Sequence, residues 1–275
     1  MKKLVLLLLF VASFTTMQAQ ISLFKKKNKI SKTDSTRAAV QPVPKQTADV
    51  IKTPKPKKDF SKAVLTNRAA DHLMIQYGSD AWTNRPDSVR TKGFSRHFNI
   101  YIMLDKPFKT DPRFSVAYGV GIGSSNIFFD NVKVNVNGLG NTLPFTDVTN
   151  TNRYKKFKLT TIYAEIPIEL RFYSDPENPA KSWKFAVGAK VGTLLKAYTK
   201  GKDLENANGQ STYGPSAIVK ESNKRYLNGT KLAVTGRIGY GVFALHGAYN
   251  ILGVTKDGFG PAMNAYSIGI SISGL

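Results

Sequence analysis

The chain has 275 residues, a formal net charge of +22 and no cysteine. That length holds one large all-β domain or two small ones, and the lack of Cys excludes disulfides and a lipid-anchored N-terminal cysteine. The excess of Lys and Arg would suit nucleic acid, but the opening residues direct the chain to export. Its acidic neighbours are then those of a cell envelope, lipopolysaccharide or cell-wall polymers, and not nucleic acid.

Residues 1–19 read as a secretory signal peptide. A charged Met1-Lys2-Lys3 precedes an apolar run from Leu4 to Phe14 broken only by Ser13, and the small Ala19 stands before the polar Gln20. The run is too short to cross a bilayer as a helix, which takes about 20 residues, and no later window is apolar for long enough. Residues 20–68 carry a net charge of +10, few large apolar side chains and a proline-rich stretch from Val43-Pro44 to Pro54-Lys55-Pro56-Lys57-Lys58. Such a segment buries too little surface to offset its ordering entropy, which predicts a disordered periplasmic arm. The arm is either a plain solvated linker or a polybasic segment that holds an acidic protein partner.

Residues 69–275 form the remaining domain, and there the pattern changes to alternation with period two, the mark of strands with two different faces. Eight runs occur in order: His72 to Tyr77 (reaching Trp82), Phe98 to Leu104, Phe114 to Ile122 or as far as Phe129, and Phe157 to Tyr173. The others are Trp183 to Tyr198, Lys231 to Gly239, Val242 to Ile251 and Tyr266 to Ile272. In the fourth run Ile162, Ala164, Ile166, Ile168, Leu170 and Phe172 share one face, opposite Thr161, Tyr163, Glu165, Pro167, Glu169 and Arg171. The fifth sets Phe185, Val187, Ala189 and Val191 against Lys184, Ala186, Gly188, Lys190, Gly192 and Lys196, with Leu194 as the exception.

A soluble lipocalin-like barrel would also alternate, with its apolar face inward. Connection lengths separate the two. The links after runs two, four and six are short (Asp105 to Arg113, Ser174 to Ser182, Tyr240-Gly241), whereas the others are long, and those near 130–155 and 200–228 are rich in Asn, Gly and Thr. An even strand count with short turns on one side and long loops on the other is the pattern of outer-membrane barrels. The fold is therefore predicted as an eight-stranded, up-and-down, antiparallel transmembrane β-barrel with both termini periplasmic. Trp82 and Trp183 fall at opposite rims, where interfacial aromatic girdles belong.

Eight strands enclose a space that side chains just fill, so no open pore is expected. The inward face must then house Glu165, Glu169, Arg171, Lys184, Lys190, Lys196, Lys231 and Arg237, either as a salt-bridged plug or as a proton or ion path. A turn over Ser174 to Lys181 would pair Tyr173 with Ser182, set Glu165 opposite Lys190 and Arg171 opposite Lys184, and leave Glu169 one step diagonal. Pro167 lacks a ladder donor, which predicts a bulge there. Parity turns His72, His97 and His246 inward as structural histidines. Gly119-Val120-Gly121-Ile122-Gly123 places glycines along one strand face, without the spacing or helix of a dinucleotide site. No catalytic, cofactor-binding or metal-ligating set emerges.

Three segments carry a resemblance: Tyr163-Ala164-Glu165-Ile166-Pro167-Ile168-Glu169-Leu170-Arg171-Phe172, Val187-Gly188-Ala189-Lys190-Val191-Gly192, and Ala248-Tyr249-Asn250-Ile251-Leu252-Gly253-Val254-Thr255. They resemble strands of the PorT-like outer-membrane β-barrel family of Bacteroidetes-type bacteria, over about residues 160–275 and more loosely over 71–130. The resemblance implies the same barrel and, through some members, a part in type IX secretion or gliding. The expected function is a non-enzymatic outer-membrane barrel, either a scaffold or accessory subunit of an envelope machine or a structural barrel. Its expected partners are outer-membrane lipid, lipopolysaccharide, and periplasmic or outer-membrane proteins reached through the arm or the loops. The alternative is an outer-membrane lipid-modifying hydrolase or acyltransferase with an active site at a rim.

Overall fold

A computed structural model describes residues 72–274; the signal peptide and the basic arm read from the sequence lie outside the described residues. Each of the eight alternating runs forms a strand. These are β1 (Leu73–Thr83), β2 (Ser95–Pro107), β3 (Phe114–Phe129), β6 (Arg153–Tyr173), β7 (Trp183–Glu205), β9 (Thr230–Tyr240), β10 (Phe243–Asn250) and β11 (Asn264–Ser273). Three short strands were hidden in the long loops: β4 (Val132–Val134), β5 (Phe145–Asp147) and β8 (Ile218–Ser222). All pairings are antiparallel, in the order β6-β3-β2-β1-β11-β10-β9-β7, and the β6–β7 pairing closes the ring. Closure removes the unpaired edges that an open sheet would expose. β8 extends the sheet beside β7 at the long-loop end, and β4 and β5 form a separate hairpin.

The apolar parity faces outward. Ile102, Val120, Ile166, Ile168, Val187, Leu245 and Ile268 are all exposed on the wall. A continuous aliphatic surface of this kind needs hydrocarbon around it, which decides against the lipocalin arrangement.

Aromatic residues rim the belt, but the two tryptophans part company. Trp183 is 52% exposed and meets Tyr240 edge-on at 5.7 Å, as a girdle residue should. Trp82 is only 6% exposed and packs on Phe129 at 5.8 Å inside the long-loop end. It shares parity with the inward Met74, Gln76 and Asp80, so it belongs to an interior core; Tyr77, Phe98, Tyr249 and Tyr266 are the exposed aromatics nearer that rim.

The β6–β7 register differs from the expected one by two residues. Glu165 lies opposite Gly192 and Arg171 opposite Ala186, because Tyr173 pairs with Lys184 rather than Ser182. Ser174 still belongs to the ladder: its amide donates to the Trp183 carbonyl (3.0 Å), and its hydroxyl accepts from the Trp183 amide (2.9 Å). The turn starts one residue later, at Asp175, whose carboxylate accepts from the amides of Glu177 (3.1 Å) and Asn178 (3.3 Å). Face parity survives the two-residue shift.

Pro167 does not create the bulge expected of it. The β3–β6 ladder lapses beside Ile166 and Pro167 and resumes in the same register at Gly121 and Glu165. The missing donor is thus absorbed as a gap. The bulge lies further along, where Ile162 pairs with Lys196 and Tyr163 with Leu194, so Leu195 is the extra residue. One extra residue reverses the parity of the strand beyond it. Lys196 therefore points outward, contrary to expectation, and Ala197 and Thr199 turn in.

Candidate functional site

The polar interior is the site the strands build, and small residues make it possible. Glu165 on β6 is flanked in register by Gly121 and Gly192, and Glu169 by Ala117 and Gly188. Each carboxylate therefore projects over neighbours that take little or no lumen volume. A Cβ on Gly123 would come within 2.7 Å of Glu165 Oε1, so that glycine of β3 leaves the carboxylate room.

Two ionic knots result. Glu165 accepts from the Tyr101 hydroxyl at 2.5 Å, and it pairs with Lys231 at 2.8 Å and Lys190 at 3.2 Å. Lys190 also donates to the Tyr101 oxygen at 3.3 Å. The expected Glu165–Lys190 pair thus forms, though across a diagonal. Nearer the short-turn end, Arg237 grips Glu169 with two donors (2.6 and 3.1 Å) and Arg171 adds a third (3.0 Å). Asp105 lies 3.9 Å from Arg171. With Asp80, which lies above the knots against His97, the lumen holds four acids (Asp80, Asp105, Glu165, Glu169) and four cations (Arg171, Lys190, Lys231, Arg237). Balanced charge and multiple hydrogen bonds are what an ion set in low dielectric requires. Lys184, also expected inside, stands at the short-turn mouth over the Tyr173 ring, 5.3 Å away.

Above these knots lies an arrangement that sequence parity did not assemble. His97 Nδ1 is 2.7 Å from Asp80 Oδ1, and His97 Nε2 is 2.9 Å from His246 Nε2. Asp80 also accepts from the Ser125 hydroxyl. With Asp80 ionised, a neutral His97 carries its hydrogen on Nδ1 and accepts at Nε2 from His246. His72 stays apart, exposed just ahead of β1, with Nδ1 3.2 Å from the Met103 carbonyl. Strands β2 and β10 are not neighbours; the row runs His97–Gly78–Gly269–His246. The two glycines form a floor on which the imidazoles meet. A Cβ on Gly78 would lie 2.2 Å from the Ile268 carbonyl and 2.8 Å from His97 Cε1. Gly78→Ala is therefore expected to lower barrel stability by about 1–3 kcal/mol through overpacking. An unchanged urea midpoint for the refolded variant would contradict that tight floor.

The long-loop end closes over an apolar core of Trp82, Phe129, Val134, Leu143, Phe157 and Tyr226, among others. Tyr226 ties it down, donating to the carbonyls of Gly138 and Gly140. In the β4–β5 hairpin Asp147 accepts from the Thr149 hydroxyl (2.5 Å) and amide (2.9 Å) and pairs with Arg90 (2.8 Å). The Thr149 hydroxyl, with Arg90, holds the Asp147 pKa down at about 2.

Residues 72–256 match the family model described as an outer membrane protein beta-barrel domain. The chain belongs to that family. Among solved structures it is similar to Ail, the attachment invasion locus protein of Yersinia pestis, at 14% identity and a TM-score of 0.30, over 73% of this chain and 94% of that one. A second Ail structure, in complex with the heparin analogue sucrose octasulfate, gives 12% identity and a TM-score of 0.29 over the same shares. No curated protein matches the sequence.

In this outer-membrane β-barrel the interior has little free space. A cavity of about 50 Å³ separates the knots from the loop core, lined by Asp80, Ser125, Tyr163, Lys231 and Ser267, enough for a few waters at most. Chemically, Asp80–His97 is an acid–imidazole pair such as orients a general base. Its outer nitrogen meets a second imidazole, however, and the hydroxyl of Ser125 sits on the acid. Among the described residues no nucleophile stands on the base.

Proposed function

We propose that this barrel is a non-enzymatic anchor of the outer membrane, a scaffold or accessory subunit of an envelope machine, with its short turns, both termini and the basic arm on the periplasmic side. The observation that carries the reading is the filled lumen: two ionic knots, a His–Asp row and a loop core occupy the space that a pore or a substrate would need. A lipid-modifying enzyme would instead want a nucleophile beside its base at a lipid-facing rim. The PorT-like resemblance of the β6, β7 and β10 segments supports a role in the type IX secretion and gliding class of machines.

The arm supplies the test. If Lys25 to Lys62 hold an acidic periplasmic protein by charge, recovery of that partner in a mild-detergent pull-down should fall as salt rises, since exposed charges are screened beyond about 8 Å at physiological ionic strength. Deleting 21–62 behind an intact signal should leave heat-modifiable barrel migration unchanged, because no described strand is removed, and should abolish recovery. Changing the arm lysines to glutamine should do the same. Full recovery from both variants would remove the arm from the reading.

A further inference from the structure

Beyond the belt, β6, β7 and β8 continue as a sheet whose two faces differ in charge. On the inward side cations and acids are matched: Lys155 lies 3.8 Å from Asp203 and 3.5 Å from Glu205. On the outward side lysine faces lysine. Lys156 is opposite Lys202, and Lys158 is opposite Lys200, which is itself opposite Lys220. Lys196 stands between this grid and the aliphatic belt, turned outward by the bulge at Leu195. Among the described residues none of these six makes an ion pair. Their partners are neutral: Lys158 donates to Asn126 (2.7 Å) and lies over Phe128 (5.6 Å), and Lys220 lies over Tyr198 at 4.1 Å.

Directly opposed like charges across an antiparallel pair, with Cβ atoms about 5 Å apart, are destabilising. Two such pairs sharing Lys200 form a grid that self-repels until an anion neutralises it. The kind of anion is set by position. The grid faces sideways from the wall, and Lys158 lies four residues beyond Ile162, the last aliphatic residue of the belt on β6. At 3.3 Å per residue and the usual tilt, that is about 10 Å above the hydrocarbon. This is the level of the phosphates on an outer-leaflet glycolipid. A polyanion arriving from solution would meet the loop tips first.

We propose that Lys156, Lys158, Lys200, Lys202 and Lys220 form a docking surface for the clustered phosphates of an outer-leaflet glycolipid, fixing a lipid against the β6–β7–β8 side of the barrel. The inference goes beyond the scaffold reading and rests only on its orientation, with the long loops outermost.

The test measures binding of bisphosphorylated and dephosphorylated lipid A to the folded barrel in detergent micelles at physiological salt. The wild-type protein should prefer the bisphosphorylated form by at least about tenfold, given the usual attraction of each basic residue to an anionic surface. Changing all five lysines to glutamine should remove the preference, and changing them to arginine should keep it. If the glutamine variant loses heat-modifiable migration, Lys158→Gln/Lys200→Gln replaces it, with a loss of about threefold expected. A glutamine variant that retains the preference overturns the proposal. So does one that loses binding of a soluble sulfated polysaccharide while keeping the lipid, because the grid would then serve a solution ligand. Orientation is read separately: Asn208→Cys, in a protein without other cysteines, should react with an impermeant maleimide on intact cells. Absence of labelling would overturn the orientation; a retained lipid preference in the glutamine variant would overturn the lysine grid.

Discussion

Replacing Glu165 with leucine is expected to destabilise the folded barrel by about 3–5 kcal/mol, the range for breaking a buried ion pair by removing one partner. Glu165 is 1% exposed and is the common acceptor for Lys190, Lys231 and the Tyr101 hydroxyl. Without it two ammonium groups remain in the lumen, with Glu169 already held by two guanidiniums. Glu165→Gln keeps the shape and can still accept from Tyr101, yet it leaves the same two cations uncompensated, so most of the loss should persist. Lys190→Met should cost less, since Lys231 continues to neutralise the carboxylate. The double variant Glu165→Leu/Lys190→Met should recover a measurable part of the Leu penalty, a coupling within the roughly 0.5–3 kcal/mol seen for residues in one network. Urea titrations of barrels refolded into vesicles give all four values. Strict additivity of the two single changes would refute the shared knot.

Why the sequence discloses some of this and hides the rest can be traced residue by residue. The alternation in β6 and β7 is legible because lipid and lumen demand opposite chemistries, so Ile166, Ile168 and Leu170 cannot trade places with Glu165, Glu169 and Arg171. Parity therefore brings Glu165 and Lys190 to one face even though their register is off by two. That error comes from side-chain turn chemistry: Asp175, with two amides on its carboxylate, starts the turn and leaves Ser174 in the ladder. The bulge at Leu195 has no compositional mark, and it sends Lys196 outward. Leu194, an apolar residue on the polar parity, was the local sign that the face was about to change.

The Asp80–His97–His246 row escaped for a different reason. Its members lie on three strands, and the positions between the imidazoles are Gly78 and Gly269, which carry no side chain to signal a shared surface. The loop core was hidden by composition. Asn, Gly and Thr around it drew attention from Val132, Val134 and Val136, whose strict alternation forms β4 and its approach to the cap. Trp82 is legible once the parity of β1 is extended from Met74 and Gln76, which places it with the lumen and not with the lipid.

The wall itself makes the second large-effect prediction. Ile168 is 54% exposed and sits near the middle of the β6 belt, between Ile162 at one rim and Phe172 at the other. On a water-facing surface, Ile168→Arg would shift stability by no more than about 0.5 kcal/mol. In a bilayer the guanidinium must be carried into hydrocarbon, at about 2–4 kcal/mol near the midplane and about 0–1 kcal/mol near the interfaces. The same substitution at Ile162 and at Phe172 should therefore cost less, since each can reach the headgroups within a few ångströms. A profile across the three positions that peaks at Ile168 is the expected outcome for protein folded into vesicles. The depth dependence should flatten in detergent micelles, which deform around a charge more easily than a bilayer. If the three variants unfold at the same urea concentration in vesicles, the aliphatic face of β6 does not contact hydrocarbon. The outward parity of Ile166, Ile168 and Leu170 would then need a protein partner, rather than lipid, to cover it.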